Sequence, residues 1–274
     1  MRDAARAPGL PGADVAVAGD YGDPAAMTAA LDGVETLFLV SASEDADRIA
    51  LHRSAVDAAL AAGVERLVYL SFLAAAPDAT FTFARDHYAT EQHIRAAGVD
   101  FTFLRSSPYL EYVPLFASPD GVIAVPAGDG RVAWVARDDI ADVALAALTD
   151  PATHSGQCYD VTGPAAHTLA YAAEQLSAFA GRPVTYRRET VQEAYASRAS
   201  YGAPGFEVDG WVTSYVAIAT GEMDVVSDTV AKLAGHEPQT LPEFLAANPD
   251  SYAHLRPPAH DLAAPRAASG SRSG

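Results

Sequence analysis

His87 and Glu91 are the first side chains of this sequence that invite a chemical interpretation. They lie four residues apart on a predicted helix over 80–97, and His93 is close by. Two metal ligands at that spacing need a third, but neither an HExxH motif nor a second ligand cluster completes a site. The pattern therefore favours a surface or pocket-lining helix over a metal site. Serine hydrolase chemistry is also disfavoured, because no G-x-S-x-G elbow occurs.

Lysine and cysteine usage narrows the chemistry further. Lys232 is the one lysine, and Asp228 rather than a tyrosine stands four residues before it, so the Tyr-x-x-x-Lys pair of ordinary short-chain dehydrogenases is absent. No G-x-G-x-x-G loop precedes a helix near the N-terminus, and 128–130 reads as a turn between two strands. The single Cys158 excludes an internal disulfide and multi-cysteine metal or redox motifs.

Composition limits the partners. The chain has 274 residues, half of them hydrophobic, and 18 basic residues against 35 acidic ones give a net charge of −17. Such a surface argues against nucleic acid or anionic lipid as the main partner, although a local pocket can still be positive. No apolar run approaches membrane-spanning length, and no signal-peptide core is visible. We therefore expect a cytoplasmic protein that binds a small molecule.

One strand organises the predicted fold. Residues 99–104 alternate, so that Val99, Phe101 and Phe103 point to one side of the strand. Pro108 then ends the strand region. In an open α/β sheet, ligands bind beyond the carboxyl ends of the strands, which is where 106–111 would lie. The alternative is an ordinary strand-to-helix loop with capping serines.

The other elements predict an α/β fold with a doubly wound parallel sheet and a smaller, mostly helical C-terminal lobe. Strands are expected at 13–18, 34–40, 67–70 and 99–104, with helices after 23, at 46–62 and at 80–97 between them. Two strands at 122–125 and 131–135 flank the turn, and helices follow at 138–148, 168–180, 191–199, 211–219, 225–233 and 241–247. We predict a dinucleotide-binding domain over 1–150, a substrate lobe over 151–256 with contributions from 107–125, and a disordered tail over 257–274.

Several short motifs, taken in order, resemble one family over roughly 1–245. They are 2–6 (RDAAR), 19–24 (GDYGDP), 33–35 (GVE), His87-x-x-Thr90-Glu91 and 104–111 (LRSSPYLE). This set resembles the NmrA-like atypical short-chain dehydrogenases, of the NAD(P)H:quinone oxidoreductase and triphenylmethane reductase type. The resemblance implies a Rossmann-like fold and places Met1 at the end of that fold's second strand. On this alignment the first βα unit, with its glycine-rich phosphate loop, is missing from the given sequence, so that the domain over 1–150 is N-terminally incomplete. Either the gene start lies further upstream, or the chain is a shortened relative; exposed strand edges favour the first explanation.

The resemblance also implies the cofactor contacts. In the family, an arginine at the position of Arg2 pairs with the adenosine 2′-phosphate, which favours NADP(H) as the cofactor, with NAD(H) as the alternative. The alternative for Arg2 itself is a frayed terminal residue without a role in binding. Asp20 and Tyr21 would lie beside the adenine, unless they only form a turn. The ribose and nicotinamide side would involve Ser41, Ala42, Ser43, Ser71, Phe72, Ser106, Ser107, Pro108, Tyr109, Leu110 and Glu111.

His87 and Tyr109 are the catalytic candidates. His87 stands where ordinary relatives carry the catalytic lysine or a substitute for it, and Tyr109 offers the nearest hydroxyl. The function implied is hydride transfer from NAD(P)H to a quinone or similar conjugated compound. The alternative is a non-catalytic NADP-sensing regulator, since loss of Tyr-x-x-x-Lys fits both. A monomer and a homodimer are both compatible with the sequence.

Overall fold

The structure of the chain is a computed structural model that describes Gly9, Gly12, Ala16, Ala18 and residues 20–256. Arg2, most of the predicted strand at 13–18 and the predicted tail at 257–274 lie outside the described residues. The strands are β1 (Thr36–Val40), β2 (Arg66–Phe72), β3 (Asp100–Ser106), β4 (Val122–Val125), β5 (Arg131–Val132), β6 (Gln157–Val161), β7 (His167–Thr168) and β8 (Thr185–Arg188). The helices are α1 (Pro24–Ala30), α2 (Arg48–Ala61), α3 (Thr82–Ala97), α4 (Arg137–Thr149), α5 (Pro151–His154), α6 (Leu169–Ala180), α7 (Val191–Arg198), α8 (Gly205–Ala219), α9 (Thr229–Ala234) and α10 (Leu241–Ala247). Three 3₁₀ helices cover Leu110–Phe116, Ala199–Tyr201 and Pro249–Leu255.

The main sheet is parallel, with strand order β1-β2-β3-β6 among the described residues. Helices α2 and α3 connect its first three strands, as βαβ units require. Helix ends follow local chemistry: Asp23 accepts a hydrogen bond from the Ala26 amide at 3.0 Å, and Gly98 ends α3 at φ 72°. The predicted α/β class and parallel sheet are confirmed.

The two faces of β3 pack on opposite sides of the sheet. Phe103 is buried in the cluster that includes Val56 of α2, with Phe101 against its edge, whereas Leu104 packs with Val143 of α4. The predicted alternation of this strand is therefore confirmed. Strand β3 is therefore covered on both faces, and it ends at the carboxyl edge of the sheet.

The C-terminal part is mostly helical, as expected. Helices α6, α8 and α10 share a third core cluster with β4, β5 and the 3₁₀ helix Leu110–Phe116. The two short strands beside the 127–130 turn do not pair with each other: β4 pairs in parallel with β8, and β5 pairs antiparallel with β7. Each pairing links the segment after β3 to the C-terminal part of the chain.

Candidate active site

A cleft lies beyond the carboxyl ends of β1, β2 and β3. It consists of two adjoining cavities, one of about 490 Å³ and one of about 370 Å³. Both are lined by the segment Ser41–Glu44, which follows β1. We call them the adenine-side and the nicotinamide-side cavity, after the positions that the sequence predicts for the two ends of the cofactor. Parallel sheets place their ligand crevice at this edge.

The adenine-side cavity is lined by Asp20 and Tyr21 as well as by that shared segment. Tyr21 donates a hydrogen bond from its hydroxyl to the Val40 carbonyl at 2.6 Å, and Asp20 accepts one from the Gly22 amide at 2.8 Å. The structure therefore brings Asp20 and Tyr21 together with Ser41, Ala42 and Ser43 at one end of the cleft, where Asp20 also makes a turn.

The segment after β1 is fixed by two side chains of α2 that the sequence analysis missed. The Ala42 amide donates to His52 Nε2 at 2.9 Å, and Arg48 Nε donates to the Ala42 carbonyl at 3.0 Å. Arg48 is 6% exposed and His52 is fully buried. Because both polar groups of Ala42 are occupied, the segment that separates the two cavities has a defined position.

The hydrogen bonds of His52 define its protonation. A backbone amide can only donate, so Nε2 is an acceptor and the proton lies on Nδ1, 2.8 Å from Thr90 Oγ1. The Thr90 hydroxyl in turn donates to the Asp86 carbonyl at 2.8 Å. Burial, assisted by the charge of Arg48, lowers the pKa of His52 to about 3. His52 is therefore neutral at physiological pH.

His87 is held in the same way. Arg48 Nη2 lies 3.1 Å from His87 Nε2, and a guanidinium has no acceptor, so Nε2 accepts and Nδ1 donates to the Tyr69 hydroxyl at 2.9 Å. Burial and the neighbouring Arg48 and His52 lower the pKa of His87 well below its ordinary value. His87 lines the nicotinamide-side cavity, and both of its ring nitrogens have protein partners.

Tyr109 also lines the nicotinamide-side cavity, beside Pro108 and Phe72. Its ring stacks on Tyr112 at 5.9 Å between centroids, and the Arg137 guanidinium lies 5.3 Å from the Tyr109 ring centre. Burial raises the pKa of Tyr109, while a hydrogen bond with Ser106 and the charge of Arg137 oppose that shift. The phenol is therefore protonated at neutral pH and can donate.

Several of the other predicted residues line neither cavity. Ser106, Ser107 and Leu110 are buried and do not line either cavity. Glu111 accepts a hydrogen bond from the Arg137 amide at 2.9 Å. Arg2, predicted at the 2′-phosphate, is outside the described residues.

Ser71 is hydrogen-bonded to the ion pair between Arg105 and Glu91, which lies below the carboxyl ends of β2 and β3. It donates to Glu91 Oε1 at 2.6 Å, and Arg105 approaches both oxygens of Glu91, at 2.8 and 2.6 Å. Glu91 is completely buried, which is tolerable because all three contacts are charge-assisted. This arrangement ties α3 to β2 and β3. Within the described part of the chain, no group of three potential ligands could hold a metal.

The nicotinamide-side cavity has an aromatic wall that the sequence analysis did not predict. Beyond the predicted residues, this wall consists of Phe81, Phe83, Tyr112, Phe116, Trp134 and Tyr215, with Arg48 as its buried cation. The two ends of the cleft therefore differ: a hydroxyl-bearing, polar segment leads into a mostly aromatic chamber. Such a cleft has the shape for an elongated ligand with a polar part and a flat ring.

Comparisons with known proteins agree with this geometry. The NAD(P)H-binding family model matches residues 1–151. The chain is 36% identical to quinone oxidoreductase 2 of Escherichia coli, over 90% of this chain and 87% of that protein, and 34% identical to the NAD(P)H azoreductase of Xenophilus azovorans, with the same two coverages. The crystal structure of the NADPH-dependent quinone oxidoreductase QOR2 of Escherichia coli with NADPH superposes with a TM-score of 0.78 at 36% identity, covering 86% of this chain and 83% of that one. No helix of residues 20–256 is long and apolar enough to cross a membrane. The chain belongs to the NAD(P)H-binding, NmrA-like family of atypical short-chain dehydrogenases, and it is an oxidoreductase of that family.

Proposed function

We propose that the chain catalyses the NADPH-dependent reduction of a quinone, or of a similarly conjugated and electron-poor small molecule, in the cytoplasm. The observation that carries this proposal is the aromatic nicotinamide-side cavity with the buried cation Arg48 in its wall. A flat acceptor ring can stack in such a chamber while its oxygen finds a positive charge. The names of the similar proteins, a quinone oxidoreductase and an azoreductase, support the same reaction class.

The reaction is balanced by one hydride and one proton. When bound, NADPH supplies the hydride, and the quinone, having also gained one proton, becomes a hydroquinone while NADP⁺ is released. The protein's part is to hold the donor and acceptor rings in contact, to exclude water and to stabilise the negative charge that develops on oxygen. Residues Ser41–Ser43 would hold the ribose, and Phe72 and Tyr109 would confine the rings.

Arg48 is the residue that we assign to the developing charge. Its Nε donates to the Ala42 carbonyl, and Nη1 lies 3.4 Å from the Phe83 carbonyl and 3.5 Å from Asp86. One Nη2 hydrogen is taken by His87, which leaves the second without a partner among the residues that the structure describes. That hydrogen is available to an anionic oxygen in the cavity.

His87 and Tyr109 then have different roles. With Nε2 accepting from Arg48, His87 has no proton to give to a substrate, so we assign it the positioning of the guanidinium. Tyr109 keeps its proton at neutral pH and is the candidate donor to the reduced oxygen, with solvent able to reprotonate it. Arg2 remains the proposed contact for the 2′-phosphate.

Steady-state oxidation of NADPH by 1,4-benzoquinone tests this assignment. We expect Arg48→Met to lower kcat by about a hundredfold, the typical cost of removing one charge-stabilising donor. His52→Leu is the matched control, because it removes the acceptor that holds the Ala42 amide in the segment Ser41–Glu44 but leaves the cation in place. The dissociation constant for NADPH, measured by fluorescence titration, should change by a similar factor in both variants.

Two outcomes would contradict the proposal. If Arg48→Met and His52→Leu lower kcat equally, Arg48 only shapes the segment Ser41–Glu44. If the wild-type protein binds NADPH but oxidises it with neither quinones nor azo or triphenylmethane dyes, the regulator is the better account.

A further inference from the structure

A third cavity, of about 720 Å³, adjoins the nicotinamide-side cavity and has no role in the reaction described above. We call it the distal pocket. It lies between the 3₁₀ helix Leu110–Phe116, β4, α7 and α8. Phe116, Ser214 and Tyr215 line both the distal pocket and the nicotinamide-side cavity, so these three residues form the boundary between them.

The volumes indicate that this boundary matters for the substrate. The nicotinamide-side cavity, at about 370 Å³, is near the lower end of the usual range for ligand pockets, roughly 300–1,000 Å³. In the proposed reaction it must hold both the nicotinamide ring and the ring that is reduced. A substrate with a further ring must therefore extend into the distal pocket, which is about twice as large.

The walls of the distal pocket suit an aromatic group. Tyr201 and Trp211 meet edge to face, with ring centroids 6.1 Å apart at 66°, and Phe116 and Tyr215 do the same at 5.6 Å and 77°. All four rings line the pocket. Edge-to-face pairs present ring faces and edges to a third ring at favourable geometry.

The charges of the distal pocket are balanced, which favours an uncharged group. Glu189 is buried and is paired with Arg187 and with Arg198, each at 3.2 Å. Asp120 lines the exposed rim, so two arginines stand against two carboxylates. A charged substituent would find no uncompensated partner among these residues, and desolvating it would cost binding energy.

We propose that the substrate carries a second, uncharged aromatic ring joined to the ring that is reduced, and that the distal pocket binds this second ring. The inference rests on the proposed function, because it takes the nicotinamide-side cavity as the place of reduction. It adds a substrate class that a one-ring quinone does not represent.

The matched substrates for a test are 1,4-benzoquinone and 2-phenyl-1,4-benzoquinone, used with the intact chain and NADPH. Ser197 lines the distal pocket and is exposed, so Ser197→Trp fills the pocket without touching the reaction chamber. Ser200→Trp is the control: Ser200 is exposed in the adjacent 3₁₀ helix and does not line the pocket. We expect the wild-type KM for the phenyl compound to be about tenfold below that for benzoquinone, the discrimination that one apolar group gives in a fitted pocket.

Ser197→Trp should remove this advantage and leave kcat and KM for benzoquinone within about twofold of the wild-type values. Ser200→Trp should leave kcat and KM for both quinones unchanged. Calorimetric titration of both quinones into the NADP⁺-saturated proteins measures the same preference without turnover. Equal affinity of the wild type for the two quinones, or an equal loss of both in Ser197→Trp, would overturn the distal-pocket proposal. Preferential binding of the phenyl compound without NADPH oxidation would instead contradict the proposed function.

Discussion

At the scale of single residues, Arg48 and His52 explain why the cleft has a defined shape. They are four residues apart and therefore share one face of α2, where they replace the alanine and valine that otherwise fill the buried side. A buried arginine is costly unless its donors are satisfied, and here every one except an Nη2 hydrogen is bonded to the Ala42 carbonyl or to residues of α3, His87 among them. A charged residue on an apolar helix face was the available signal in the sequence.

The protonation of His52 predicts a pH dependence of stability. Its pKa is about 3 in the fold against about 6.5 in the unfolded chain, so the unfolded state binds the extra proton first as pH falls. The contribution of His52 is therefore complete above about pH 6.5 and is lost toward pH 3, at about 1.4 kcal/mol per pH unit. The lowered pKa of His87 acts in the same direction.

Urea unfolding at pH 7, 6 and 5 measures this loss, and His52→Gln isolates it. Glutamine offers an oxygen to the Ala42 amide but does not titrate. Between pH 6.5 and 5, the free energy of unfolding of the variant should therefore fall by about 2 kcal/mol less than that of the wild type. Asp86, whose pKa is raised by burial, opposes the trend in both proteins and cancels in the comparison. Parallel stability profiles for the two proteins would show that His52 does not set the dependence.

At the scale of elements, the contact between the 127–130 turn and α8 positions the far wall of the cleft. A Cβ at Gly130 would lie 1.9 Å from the Ile218 carbonyl oxygen, so the backbone of the turn must touch the end of α8. Helix α8 supplies Ser214, Tyr215 and Ile218 to the nicotinamide-side cavity. Trp211, one turn earlier, donates to Glu44 at 3.2 Å and links the same helix to the segment Ser41–Glu44.

We expect Gly130→Ala to destabilise the protein by about 1–3 kcal/mol, because a backbone contact cannot yield as a side chain can. The displacement of α8 should also raise KM for the quinone. Gly205→Ala, at the start of the same helix, is the control, since a Cβ there meets nothing within 4 Å. Denaturant unfolding of both variants checks the difference, and equal free energies of unfolding would exclude the proposed contact.

The sequence predicted best those elements that periodicity or capping residues mark, whatever their length: the long helix α8 begins at Gly205, six residues before its predicted start at 211. Helices α3 and α10, and strands β1 and β3, lie within about two residues of their predicted bounds, since hydrophobic periodicity and capping residues define them. Strands β4 and β5 were expected beside their turn, but two to four residues carry no periodicity that could identify β8 and β7 as partners. The aromatic wall and the Arg48 network could not be predicted either, because their members come from elements far apart in the chain.

At the scale of the whole molecule, a protein with a net charge of −17 must bind an anionic cofactor, which its overall charge repels. The adenine-side cavity adds to this difficulty: Asp20, Glu44 and Asp45 line it, and its lining among the described residues includes no arginine or lysine. A 2′-phosphate at that end would meet carboxylates as the only charged side chains of the described lining, whereas a ribose 2′-hydroxyl could donate to one of them. Preference for NADPH therefore requires a cation from another segment, and Arg2, by family resemblance, is the proposed source.

Thermal unfolding with each cofactor tests that requirement on the intact chain. A cofactor at a hundred times its dissociation constant stabilises the fold by about 2.7 kcal/mol, or about 5 °C in Tm for a chain of this length. We expect the wild-type Tm to rise more with NADPH than with an equal concentration of NADH, and Arg2→Ala to lose most of the NADPH shift while keeping that of NADH. Arg6→Ala is the matched control from the same segment and should behave as the wild type. If Arg2→Ala reduces both shifts equally, the arginine does not distinguish the phosphate, and the carboxylates Asp20 and Glu44 would then favour NADH as the physiological donor.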